Sequence, residues 1–140
     1  MSNLTVGFIR TSVVYLLIGI SIGLTMAIPG GYALLAEAGR GQPTIAHAHS
    51  NLLGFMLMMV MGVAYHIFPR FSGHPIRRMW MAWANFWCCQ VGTALMVTGF
   101  LVRGLLPWVV PIGASVQVAG LIFFAINMFQ VVRPVKKLMP

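Results

Sequence analysis

A chain of 140 residues that is 59% hydrophobic and only 7% charged, with mean hydropathy +0.89, is not a water-soluble domain, because those carry about 25% charged residues. Its one acidic residue, Glu37, leaves no paired carboxylates for hydrolysis, metal cages or a membrane carboxylate relay, which excludes most enzyme chemistry. The net charge of +8 lies between long apolar runs rather than on one face, so it argues against a nucleic-acid partner and for the lipid bilayer.

The first apolar run extends from Thr11 to Leu35 and is long enough for the ~20 residues of a spanning helix. Pro29-Gly30-Gly31 should kink or fray it near the interface, which a membrane tolerates where neighbouring helices or water satisfy the freed backbone groups. Ala36-Glu37-Ala38 imitates a signal-peptide cleavage site, but the preceding run is too long and is introduced by Arg10 alone, so a retained helix is expected. After Glu37 to Gln42, with two glycines, the second run covers Pro43 to Phe68. The third covers Met79 to Val102 and the fourth Trp108 to Val132, joined by short connections. Loops so short make neighbours antiparallel, which gives a single all-α transmembrane domain over residues 1–140, an up-down bundle of four helices.

Arg10, Arg70, Arg77, Arg78, Arg133, Lys136 and Lys137 fall on one side of that topology and Arg40 and Arg103 on the other. By the positive-inside rule both termini are cytoplasmic, in the cell (inner) membrane, and the second helix runs inward from the outer surface. Gly19, Gly23, Gly54 and Gly92 permit close helix approach. Cys88-Cys89, adjacent within an apolar stretch, cannot build a disulfide framework.

His47 and His49 lie one to two turns inside the second helix, among Leu, Met, Phe and Val. An ionisable group at such depth is a functional-site candidate, and neutral imidazole ligates haem iron, copper or zinc. A purely structural, hydrogen-bonded role is the alternative. Positions i and i+2 of a helix are ~200° apart, so the two rings leave on nearly opposite faces and cannot grip one ion together. If both are ligands, each serves a different site completed by another helix or another copy of the chain.

His66 is 19 residues beyond His47, about 28 Å along the axis, and reads as an interfacial anchor beside Tyr65 or as part of a second site. His74 is expected in a solvated loop. Ser50 and Asn51 are placed either to orient the imidazoles or to cap the helix. Met56, Met58, Met59 and Met61, with Cys88 and Cys89, offer soft ligands for Cu(I), although four methionines pointing around most of the helix are expected mainly to fill irregular packing.

The stretch His49-Ser50-Asn51-Leu52-Leu53, continuing to Gly62-Val63-Ala64-Tyr65-His66-Ile67-Phe68-Pro69, resembles the second membrane helix of subunit I in the haem-copper oxidase superfamily, and most of all its nitric oxide reductase branch. There His-Thr-Asn-Leu-Leu opens the helix, Ala-Tyr and a proline close it, and the histidine is an axial ligand of the low-spin haem b. The distance from histidine to proline is about one residue shorter here. His47-Ala48-His49 is also similar to the His-Phe-His of the family's tenth helix, which gives one imidazole to each of two haems.

The resemblance implies that His49, with His47, holds haem b. It implies that Arg103, with Arg40 and Trp108 beside it, meets the haem propionates, while Asn51, placed to hydrogen-bond an imidazole, is counted in the same site. The family's subunit I has twelve helices in three pseudo-equivalent arcs, so a four-helix chain looks like one arc and three copies would rebuild the ring as a homotrimer. His47 of one copy and His49 of the next would then share a haem. One repeated chain cannot supply the family's asymmetric copper site, so a complete oxidase or reductase is not expected. The expected function is a membrane-embedded b-type haem protein for electron transfer or for binding or sensing a diatomic gas such as nitric oxide. A Cu(I) or other metal transport protein and a cofactor-free assembly subunit are the alternatives. No redox partner is identified by the sequence.

Overall fold

The computed structural model describes residues 1–133, which form helices and no strand; Lys136 and Lys137, counted above in the charge asymmetry, lie outside the described residues. Helix α1 runs Asn3–Ala27, capped by Ser2, whose hydroxyl accepts from the Thr5 N–H at 3.3 Å. It therefore starts before the expected Thr11. The apolar run is interrupted by Arg10, but Leu4, Thr5 and Phe8 are buried against the bundle and hold the first turns in place. Thr11 and Ser12 return their hydroxyl protons to the carbonyls of Gly7 and Ile9, at 2.9 and 2.7 Å, which removes the cost of placing them in an apolar medium.

The first expected helix, 11–35, is two elements. Ile28, preceding Pro29, is extended at φ −76° and ψ 138°, as a residue before proline prefers, and Gly30 turns the chain at φ +79°. A separate short helix α2, Gly31–Gly39, follows and ends at Arg40, itself left-handed at φ 47°. Helix α3 is a 30-residue rod, Pro43–Ser72, with Pro43 in its first turn and an eight-residue π-helical segment, Ser50–Leu57, within it. It does not stop at Phe68 but passes through Pro69 to end at Gly73, φ +66°. Arg70 donates its Nη1 to the His66 carbonyl at 2.6 Å within this last stretch of the helix. Helices α4, Met79–Leu101, and α5, Val109–Val131, follow closely the third and fourth apolar runs.

Four of these helices, α1, α3, α4 and α5, are long and apolar enough to cross a bilayer, and the chain is a multi-pass membrane protein on that ground. Sequence neighbours pack together: α1 on α3, α3 on α4 and, most extensively, α4 on α5. The α1–α3 pair is antiparallel, with Phe8 beside Tyr65, Ser12 beside Met59, Tyr15 beside Gly54 and Gly23 beside His47. One core cluster, built on Leu4, Phe8, Met58, Met61, Tyr65, Phe86 and Cys89, fills the half of the bundle that holds the α3–α4 turn. A smaller one, Ala46, Met96, Val97 and Phe100, fills the half beneath α2. Leu17, Leu24, Trp87 and Phe129 point outward, which in a bilayer is contact with lipid.

Candidate functional site

The two glycines Gly19 and Gly23 flatten one face of α1, and α3 lies against it. A Cβ at Gly23 would come within 2.7 Å of His47 Cε1, and one at Gly19 would collide with the Asn51 side-chain amide. The His47 ring uses the room: its Nδ1 is 2.7 Å from the Gly19 carbonyl oxygen. A carbonyl only accepts, so Nδ1 carries the proton and Nε2 keeps its lone pair. Asn51, one turn on, donates to the His47 carbonyl at 3.0 Å and holds its amide nitrogen 3.4 and 3.5 Å from the two ring nitrogens.

His49 solves the same problem within its own helix. Its Nδ1 is 2.9 Å from the Ile45 carbonyl, so it is again the protonated nitrogen and Nε2 again bears the lone pair. Its ring rests on Phe100 of α4, centroid to centroid 4.7 Å at 48°. One imidazole thus faces α1 and the other α4, in keeping with the ~200° between positions i and i+2. Both are half-buried. Ser50, expected either to orient an imidazole or to cap the helix, does neither: it donates to the Tyr15 carbonyl at 2.8 Å and ties α3 to α1.

His66 differs. A guanidinium only donates, and Arg70 Nη1 is 2.9 Å from His66 Nδ1, so that lone pair is already engaged. His74, expected to be solvated, is half-buried, and its Nδ1 has no hydrogen-bond partner among the described residues. Among the described residues no three His, Cys, Asp or Glu side chains come together as a metal-binding group.

The basic residues Arg40 and Arg103 meet at the end of the bundle where α3 begins. Arg103 donates to Gln42 Oε1, Gln42 N–H donates to the Phe100 carbonyl at 2.7 Å, and the Gly104 N–H reaches the Gly39 carbonyl at 3.3 Å. A Cβ on Gly104 would strike the Arg40 side chain, so the two arginines flank one tight junction with both side chains exposed. Trp108 is exposed in the same connection. Gln42 lies about 8–10 Å along the helix from the two histidines and was not legible as a site residue, because its role comes from a contact 61 positions away. The π-helical segment that begins directly after His49 was also unforeseen, since no residue type in Ser50–Leu57 demands the wider turn.

Over 63 residues, 44% of the chain, the sequence is 30% identical to the cbb3-type cytochrome c oxidase subunit CcoN1 of Stutzerimonas stutzeri. The match covers 13% of that relative's length and supports a distant relation to subunit I of the haem-copper oxidases. No protein-family model matches the sequence, and no solved structure matches it.

Proposed function

We propose that the chain is a membrane-embedded b-type haem protein in which His47 and His49 serve as axial ligands. The observation that carries the reading is that both imidazoles donate through Nδ1 to a backbone carbonyl and so carry their lone pair on Nε2, which in His47 has only the Asn51 amide, 3.5 Å away, beside it. That is the arrangement in which a partner to the distal nitrogen fixes the tautomer and raises the basicity of the ligating one. The likeness to an oxidase subunit supports haem as the group concerned. Haem bound there would supply one-electron chemistry or an iron site for a diatomic gas such as nitric oxide.

Because the two rings face different neighbours, each completes a different site. His47 of one copy and His49 of the next share a haem in a homotrimer that resembles the twelve-helix ring of oxidase subunit I. Asn51 steadies His47, and Arg40 and Arg103, exposed at the end of α3 nearer the histidines, attract the propionates. The excess of arginine at the other end of the bundle supports cytoplasmic termini in an inner membrane. One repeated chain does not amount to a complete oxidase or reductase.

A pyridine haemochrome assay on the purified protein, scaled to protomer concentration, with reduced-minus-oxidised spectra, tests this. The expected result is low-spin haem b that disappears in both His47→Ala and His49→Ala and persists in His66→Ala. A colourless protein purified from cells with ample haem supply overturns it in favour of an assembly role.

A further inference from the structure

Three fully buried sulfur atoms line the seam between α3 and α4, apart from the histidines: Met58 Sδ, Met61 Sδ and Cys89 Sγ, all on side chains with no solvent exposure. Each is touched by an amide. Gln90 Nε2 lies 3.4 Å from Met58 Sδ, and Asn85 Nδ2 lies 3.6 Å from Met61 Sδ and 3.3 Å from Cys89 Sγ. Two of the sulfurs thus sit around one nitrogen atom. Cys89 is ten residues from Met79 and twelve from Leu101, about 15 Å from one end of α4 and about 18 Å from the other, and so near mid-membrane.

The surroundings are built to seat that thiol. A Cβ on Gly120 of α5 would be 2.8 Å from Cys89 Sγ, so the glycine leaves the space that the sulfur uses. Asn85 is wholly buried, and its Nδ2 donates to the Gly120 carbonyl at 2.8 Å, which fixes which way the amide faces. Its Oδ1 is then turned away from that carbonyl and has no hydrogen-bond partner among the described residues. It is the amide nitrogen, not this oxygen, that lies beside the two sulfurs, and the oxygen is an unmet acceptor in a medium where such groups are costly.

We infer that Met61 and Cys89, with Met58 as a third donor, form a binding site for a soft monovalent cation, Cu(I). Thioether and thiolate ligands select Cu(I) over harder ions. Charge favours the same ion. On binding, the Cys89 thiol releases its proton to water and its sulfur forms a bond to Cu⁺, giving a neutral thiolate pair, whereas a divalent ion would leave net charge in the apolar interior. Methionine's three rotatable bonds let Sδ of Met61 move onto the ion from beside the amide. This site shares no residue with the histidine pair.

The test is titration of the haem-loaded protein with Cu(I), in detergent and without oxygen, against a chromophoric Cu(I) chelator. Sulfur coordination is read by X-ray absorption, and circular dichroism with size exclusion checks folding. The expected outcome is one Cu(I) per chain with sulfur ligands and about one proton released. Affinity should fall at least ~100-fold in Cys89→Ala and ~10-fold in the nearly volume-conserving Met61→Leu, and hold in Cys88→Ala and in the His47→Ala, His49→Ala double variant. No competition with the chelator, equal affinity in Met61→Leu and Cys89→Ala, or nitrogen-dominated coordination overturns the inference. Should Cys89→Ala not fold, Met61→Leu paired with Met58→Leu decides it. The haem spectrum, followed in the same samples, fails or stands independently.

Discussion

The two halves of α3 hold the same kinds of residue and use them differently. In the half from Pro43 to Leu57, His47 and His49 lie against small residues and an aromatic ring, and both give their Nδ1 protons to backbone carbonyls. In the half from Met58 to Ser72, His66 accepts from Arg70 at an exposed turn, while Met58, Met61 and Tyr65 are buried against Phe8 and Phe86. A histidine's chemistry is therefore set by the group that holds its other nitrogen, not by its place in an apolar helix. The first half is polar where it meets α1 and is spaced by glycine. The second is packed by large side chains, with Gly62 leaving room for Phe8 of α1.

Substitutions should separate these halves, and the largest effect is expected at the ligands. His47→Ala or His49→Ala should abolish the low-spin haem spectrum while His66→Ala keeps it; equal loss from all three would erase the distinction. Next comes the packed half. Phe8, with no exposure, contacts Tyr65 at 5.8 Å and Phe86 edge-on at 5.0 Å, so Phe8→Ala should cost about 3–5 kcal/mol in reversible unfolding from detergent. It should leave bound haem in the surviving folded fraction.

A smaller change tests the glycine-spaced half. Gly19→Ala drives a Cβ into the Asn51 amide, which must rotate away from His47, at a cost of about 1–3 kcal/mol. Here the haem spectrum should shift or weaken together with stability. A variant that unfolds earlier but keeps an unaltered spectrum would show Asn51 to be packing alone. The smallest effect belongs to Arg70→Gln. The Arg70 contact with His66 is exposed, so thermal stability should change by less than ~1 kcal/mol and the haem spectrum not at all.

Much of this architecture could be read from residue order. Runs of about twenty apolar residues give spanning helices, and short connections give antiparallel neighbours, whatever the tertiary detail. The break near Pro29 was visible because proline restricts the residue before it, although it ends α1 at Ala27 and frees α2 as a separate element. Pro69 misled for the opposite reason. A proline three residues from the last residue of a helix leaves little of it to disrupt. The opposite aim of His47 and His49 came from the helical angle alone.

Sequence by itself determined that the chain is a helical membrane protein and that two imidazoles leave one buried rod on different faces, because hydropathy and helical period are local properties. Only the tertiary structure decided that the Gly19 carbonyl holds the His47 Nδ1 proton, that Gln42 clasps Arg103, and that Asn85 joins Met61 of α3 to Gly120 of α5. Those relations join residues far apart in the chain, and hydrogen bonds between separate helices exist only once the helices have packed.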